Sequence, residues 1–146
     1  MKEVRRLSRK GLARLALTCF LLLGLHVMAR AQTASVGSEF EIGAGQVVTL
    51  EGGRLSVRFV RVASDSRCPV DVSCVWAGNA EVLLEVGGSR RGKRTLSLNT
   101  NASPERPGEG KYGRYTLKLA GLAPQPRSNK KIAPGQYTAT LLVSKD

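Results

Sequence analysis

Histidine, methionine and cysteine are scarce in this chain of 146 residues, which contains one, two and three of them respectively. His26, Met28 and Cys19 all fall within the first thirty-one residues. If that segment is removed, no histidine remains for Ser-His-Asp or Cys-His catalysis, and neither His nor Met remains as a haem ligand. Zinc and copper sites lose their nitrogen and thioether ligands in the same way. The composition therefore predicts a protein that is not an enzyme and that holds no cofactor and no metal.

The first thirty-one residues have the three-part form of a secretory signal peptide. A cationic segment, MKEVRRLSRKGLAR, precedes fourteen apolar residues (15–28) and an Ala29-Arg30-Ala31 end. The apolar run is shorter than the roughly 20 residues that span a bilayer. We therefore expect Sec-type export from a bacterial cell, cleavage after Ala31, and a periplasmic or secreted protein without a transmembrane anchor.

Residues 32–146 are expected to form one β-rich domain, because 115 residues suffice for one hydrophobic core but not for two. This part of the chain has sixteen basic and ten acidic residues, a net charge of +6. Basic residues cluster at 90–94 and 127–131. An exported protein rarely meets nucleic acid, so the expected partner is an anionic envelope component or another exported protein. For the two clusters themselves we favour the simpler interpretation that they are solvated and protect strand edges from pairing with other chains.

Short segments with apolar residues at every second position follow one another along the chain, and Gly or Pro clusters separate them. Such a period is typical of β-strands. The predicted strands are 38–42, 46–51, 54–62, 80–86, 94–98, 112–119 and 136–143. In segment 54–62 the apolar parity changes after Phe59, which predicts a bulge near Phe59 and Val60. Seven or eight short strands without parallel crossovers predict an all-β fold, an antiparallel β-sandwich or a small barrel.

Residues 64–79, SDSRCPVDVSCVWAGN, contain two cysteines, two aspartates and the only tryptophan of the chain. Cys68 and Cys74 are the only cysteines after residue 31, and in an oxidising compartment they should form a disulfide. Five residues separate them, unlike the two of a redox-active C-x-x-C pair. The spacing therefore indicates a structural staple.

Four residues of this stretch are candidate binding residues: Trp76, Asp65, Arg67 and Asp71. We expect the Trp76 indole to be buried and to anchor the loop to the core; the alternative is an exposed aromatic platform for a sugar or a peptide. Asp65, Arg67 and Asp71 are expected to order the loop through an Asx turn and ion pairing. A calcium site would need a denser acidic cluster.

Two alternative functions remain open. Glycoside hydrolysis needs only two carboxylates held roughly 5 to 9.5 Å apart, and Asp65, Asp71, Glu81 and Glu85 are the candidates near the motif. The protein could therefore be a small carboxylate-dependent polysaccharide hydrolase. It could also be an inhibitor or a chaperone-like partner of another exported protein.

The run from Asp65 to Ala80, of the form DSRCPxxVxCVWAGxA, resembles a signature of a family of small exported bacterial proteins of uncharacterised function. The preceding LSVRFVRVASDSRCP and the ending PGQYTATLLV are also similar to that family. The resemblance covers most of residues 45–143. It implies export and a β-rich domain, and it implies neither an activity nor functional residues.

Overall fold

The computed structural model describes residues 32–146, and the expected signal peptide (residues 1–31) lies outside the described residues. The described part contains nine strands and two short 3-10 helices. The strands are β1 (Gln32–Ala34), β2 (Glu39–Gly43), β3 (Val47–Leu50), β4 (Leu55–Asp65), β5 (Ala80–Gly88), β6 (Arg91–Asn99), β7 (Glu109–Tyr112), β8 (Tyr115–Ala123) and β9 (Thr138–Lys145). The 3-10 helices are Glu51–Gly53 and Pro134–Gln136. From residue 32 onward, no helix is long and apolar enough to cross a membrane.

The strands form two sheets, one in the order β1-β3-β4-β5-β6 and the other in the order β2-β9-β8-β7. Every pairing is antiparallel except that of β1 with β3. The predicted all-β sandwich is thus confirmed. Strands β1 and β7 were not predicted, because three or four residues are too few to show a period. Strand β7 occupies the end of the segment that the sequence indicates as the loop 99–111.

The hydrophobic core lies between the two sheets and is built from alternate residues of the strands. Side chains of successive strand residues point to opposite faces, so every second residue faces the other sheet. Fully buried residues from both sheets are Ile42, Leu55, Val57, Phe59, Ala80, Val82, Leu84, Val86, Leu117, Ala139, Leu141 and Val143. Their period-two spacing is the pattern that predicted the strands.

Strand β4 is bulged where the apolar parity changes. The register with β5 shifts between Phe59 and Arg61, so Val60 has no partner and Val62 pairs with Val82 on the core side. The predicted bulge is confirmed. A second register shift follows Val62, and it places Asp65 opposite Ala80, whose side chain is fully buried. The two shifts together direct the Asp65 carboxylate toward the gap between the sheets.

The antiparallel strands place two groups of loops at opposite ends of the sandwich. At one end, the motif loop (residues 66–79) joins β4 to β5, and the late loop (residues 124–137) joins β8 to β9. At the other end lie the first 3-10 helix, the β5–β6 turn, the β7–β8 turn and the end of β9. We call these the motif end and the basic end.

Candidate functional site

The motif loop is closed at its base like a continued hairpin. The Ser66 amide donates to the Asn79 carbonyl at 2.7 Å, and the Cys68 amide donates to the Ala77 carbonyl at 3.0 Å. Gly78 has a φ of +68°, and a Cβ at this position would overlap the carbonyl group of Ser66. Only glycine permits this close approach of the two backbones.

The predicted disulfide between Cys68 and Cys74 is confirmed, with their Cα atoms 6.0 Å apart. The bridge closes the loop beyond the two backbone hydrogen bonds, and it leaves Val75 and Trp76 between the bridge and the returning chain. The distal part of the loop is therefore constrained from both sides.

Arg67 attaches the motif loop to both sheets. Its Nε and Nη2 atoms donate to the two oxygens of Asp65 at 2.9 and 2.7 Å, and its backbone amide donates to Asp65 Oδ1 at 3.1 Å. Its Nη1 donates to the Leu122 carbonyl at 2.6 Å, and its Nη2 also donates to the Pro124 carbonyl at 2.9 Å. Asp65 belongs to the five-stranded sheet and Leu122 to the four-stranded sheet. One guanidinium thus links the two sheets at the motif end.

The Asp65–Arg67 pair is nearly buried, since its side chains are only 11% and 9% exposed. The Tyr137 hydroxyl completes the network by donating to Asp65 Oδ2 at 3.1 Å. Burial of Asp65 disfavours its charged form, but the hydrogen bonds from Arg67 outweigh burial and hold the pKa of Asp65 below its ordinary value. The predicted Asx turn and ion pair are confirmed for these two residues. The contribution of Tyr137 was missed because it lies 72 residues away in the chain.

Asp71 takes part in a different contact from the one expected. Its Oδ1 accepts a hydrogen bond from the Ser128 amide at 2.9 Å, and its Oδ2 accepts one from the Ser128 hydroxyl at 2.7 Å. These hydrogen bonds lower the pKa of Asp71, and the one from the Ser128 hydroxyl has the largest effect. The Val70 amide also donates to the Pro126 carbonyl at 3.0 Å. Asp71 therefore orders the motif loop by binding the late loop, and it forms no ion pair with Arg67.

Asn79 connects the motif loop to the segment after β6. Its Nδ2 donates to Asn99 Oδ1 at 2.7 Å, and its Oδ1 accepts a hydrogen bond from the Asn101 amide at 3.0 Å. The Asn99 side chain is buried and donates onward to the Pro107 carbonyl at 3.2 Å. In the sequence, Asn79 stands out only as a polar residue between Gly78 and the start of β5, and this was not enough to predict its contacts.

The Trp76 side chain is exposed, and the prediction of a buried indole was wrong. Trp76 is 83% exposed and Val75 is 90% exposed. Val70 and Val72 of the same loop are also more than 45% exposed. The physical reason is that Arg67, not Trp76, attaches the loop to the sandwich, while strand residues already fill the space between the sheets. We call Val75 and Trp76 the apolar tip.

No two of the candidate carboxylates Asp65, Glu81 and Glu85 face each other. Asp65 lies on the core side opposite Ala80, whereas Glu81 belongs to the outer face of the same sheet. Glu81 and Glu85 are four residues apart on β5, which corresponds to about 13 Å along the strand. Asp71 is engaged with the late loop. The strand register therefore keeps Asp65, Glu81 and Glu85 apart, whereas a polysaccharide hydrolase needs two carboxylates that face each other.

A polar cleft of about 470 Å³ lies beside the motif loop, and Glu81 and Glu105 are its carboxylates. The backbone amide of Glu105 and the Ser103 hydroxyl donate to the Glu105 carboxylate and lower its pKa. A general acid requires the opposite shift. Within residues 32–146, no three His, Cys, Asp or Glu residues lie close enough together to hold a metal ion.

The disulfide should contribute modestly to stability, because it closes a short loop that other contacts also hold. We expect the double variant Cys68→Ser Cys74→Ser to lower the free energy of unfolding by about 2 kcal/mol in chemical denaturation. The unreduced wild-type protein should incorporate no iodoacetamide at either cysteine, as measured by mass spectrometry. Labelling of Cys68 or Cys74 without a reductant would contradict the bridge.

The motif loop thus combines two kinds of residues. One set anchors the loop to both sheets and to the neighbouring loops, and the other set, Val75 and Trp76, extends into solvent. No protein-family model matches this chain, and searches of the curated proteins and of the solved structures likewise gave no match.

Proposed function

We propose that this protein is an exported, non-enzymatic β-sandwich module that binds another exported protein through its apolar tip. Export is supported by the signal-peptide pattern of residues 1–31 and by the resemblance of the motif to small exported bacterial proteins. The Cys68–Cys74 disulfide is compatible with it, since such bridges persist in oxidising compartments. The observation that carries the binding role is the 83% exposure of Trp76 on a braced loop.

An exposed tryptophan on a constrained loop is well suited to binding. Tryptophan is enriched among the residues that dominate interface energies. The disulfide and the anchoring hydrogen bonds already order the loop, so less conformational entropy is lost when a partner binds. Trp76 makes no contribution to the core that would explain its place in the motif.

The chemistry of the motif loop favours a protein partner over a sugar. Sugar binding requires several hydrogen-bonding side chains around the aromatic ring. The polar side chains Arg67, Asp71 and Asn79 are already hydrogen-bonded within the protein. The apolar tip instead offers a projecting apolar surface, which fits a pocket on another protein. An inhibitor or a chaperone-like partner would bind in this manner.

The test is affinity capture from the envelope fraction of the source cells, with variants of the tip. Trp76→Ala should weaken binding of the captured protein by about thirtyfold, the effect of removing a dominant interface residue. Val75→Ala should weaken it less. The matched control is Val47→Ala on β3, which is 44% exposed and lies on a strand away from the loop; it should bind like wild type.

The stability of the variants separates binding from folding. Because Trp76 is exposed, Trp76→Ala should change the free energy of unfolding by less than about 0.5 kcal/mol. A partner retained equally by Trp76→Ala would refute the proposed role of the tip. Binding of an envelope polysaccharide that depends on Trp76 would refute the protein partner.

A further inference from the structure

The basic end of the sandwich contains a cavity that the motif does not explain. Its volume is about 470 Å³, and it lies between the first 3-10 helix, the β5–β6 turn, the β7–β8 turn and the end of β9. Four separate segments of the chain therefore meet around one opening. None of them belongs to the motif loop, which joins β4 and β5 at the opposite end.

Five of the side chains that line this cavity are cationic and one is a carboxylate. The cationic residues are Arg54, Arg90, Arg91, Arg114 and Lys145, and the carboxylate is Glu51. All four arginines are exposed, and in the described part of the chain none of them forms a salt bridge. The side chains that line the opening therefore carry a net positive charge.

Glu51 is not free to neutralise the arginines. Its Oε1 accepts a hydrogen bond from Lys145 Nζ at 2.6 Å, and its Oε2 accepts one from the Tyr115 hydroxyl at 2.6 Å. These contacts lower the pKa of Glu51, and the hydrogen bond from Lys145 has the largest effect. The Glu51 carboxylate therefore stays ionised. The single carboxylate is therefore matched to Lys145, and the four arginines remain for a ligand.

Contacts with neighbouring residues hold Arg91 at the cavity. The Tyr112 hydroxyl is 3.1 Å from the Arg91 carbonyl and 2.8 Å from the Gly92 carbonyl, so it ties the start of β6 to β7. The side chain of Arg91 lies against Gly113, where a Cβ would come within 3.3 Å of Arg91 Nε. Arg91 is thereby placed beside the turn that carries Arg114.

We propose that this cavity binds a phosphate oxyanion, either a small free phosphate compound or the headgroup of an anionic lipid. Arginine presents a planar fork that matches phosphate oxygens in pairs of hydrogen bonds. Several arginines around one opening focus anions into it, and the oxygens of a phosphate group can accept hydrogen bonds from more than one guanidinium. This second site is independent of the apolar tip, because the two lie at opposite ends of the sandwich.

The test compares two double variants that remove the same charge. Arg91→Gln Arg114→Gln removes two cavity arginines, and Arg58→Gln Arg61→Gln removes two exposed β4 arginines that do not line the cavity. The probes are inorganic pyrophosphate, followed by calorimetry, and phosphatidylglycerol vesicles against phosphatidylcholine vesicles, followed by flotation. The cavity variant should bind at least about tenfold more weakly, as expected from the loss of charge-assisted hydrogen bonds. The control should bind like wild type.

Each outcome decides for or against the site. Pyrophosphate binding with this variant pattern identifies a free phosphate ligand, and phosphatidylglycerol binding with the same pattern identifies a lipid headgroup. If both double variants weaken binding equally, binding depends only on the overall charge and the site is refuted. The absence of binding to either probe would also refute it. Thermal unfolding checks that the variants are folded. If the cavity double variant unfolds, the single variants Arg54→Gln and Arg58→Gln provide the same comparison.

Discussion

Replacement of Arg67 by alanine is expected to lower the free energy of unfolding by about 3 to 5 kcal/mol. The Asp65 carboxylate would remain nearly buried without its positive partner, and the Leu122 and Pro124 carbonyls would lose their donors. Because Asp65 and Leu122 belong to different sheets, the motif end should lose the guanidinium that links them. Urea denaturation followed by circular dichroism measures the difference.

Three further variants isolate the cause. Arg58→Ala removes an exposed arginine of β4 and should change stability by less than about 0.5 kcal/mol. Arg67→Lys should restore little, because lysine cannot form the two parallel bonds to Asp65. The double variant Asp65→Leu Arg67→Met should recover most of the loss, since it leaves no unpaired buried charge. A loss below about 1 kcal/mol for Arg67→Ala would contradict the role assigned to this residue.

The same pair gives stability a dependence on acid pH. The pKa of Asp65 is lower in the folded protein than its ordinary value of about 4. Its contribution is therefore complete above that value and is lost as the pH falls through the folded pKa. Asp71, Glu51 and Glu105 have lowered pKa values as well. Arg67→Ala should thus reduce, without abolishing, the loss of stability between neutral pH and pH 3.

Replacement of Gly78 by alanine is expected to lower the free energy of unfolding by about 3 kcal/mol. About 1 kcal/mol comes from the positive φ, which disfavours any residue with a Cβ. The rest arises because the new Cβ overlaps the Ser66 carbonyl, so the hydrogen bonds that close the loop must shift. The apolar tip should become more mobile, which Trp76 fluorescence anisotropy would report.

Gly45→Ala is the matched control for this substitution. Gly45 also has a positive φ, +83°, but no atom lies within 4 Å of a Cβ placed there. Gly45→Ala should therefore lower the free energy of unfolding only by the cost of the positive φ, about 1 kcal/mol. The difference between the two variants measures the close approach of Gly78 to Ser66. If the two variants lose the same free energy of unfolding, the close contact between Gly78 and Ser66 does not contribute to the cost.

The sequence by itself determined the features that depend on neighbouring residues. The period of two fixed most of the strands, and the change of parity after Phe59 located the bulge at Val60, because each strand residue faces one side or the other according to its position. The pairing of Cys68 with Cys74 followed from the absence of other cysteines in the predicted mature chain. The Asx turn between Asp65 and Arg67 is likewise local.

The tertiary structure decided the features that depend on residues far apart in the chain. The sequence placed Trp76 near the disulfide, but whether the indole met the core depended on which residue anchored the loop. That residue is Arg67. It contacts Leu122 directly and Tyr137 through Asp65, and both partners come close only when the two sheets pack together. The cavity at the basic end likewise forms where four segments converge. Period and spacing specify which face of a strand is apolar, whereas the packing of the two sheets specifies which distant side chains meet.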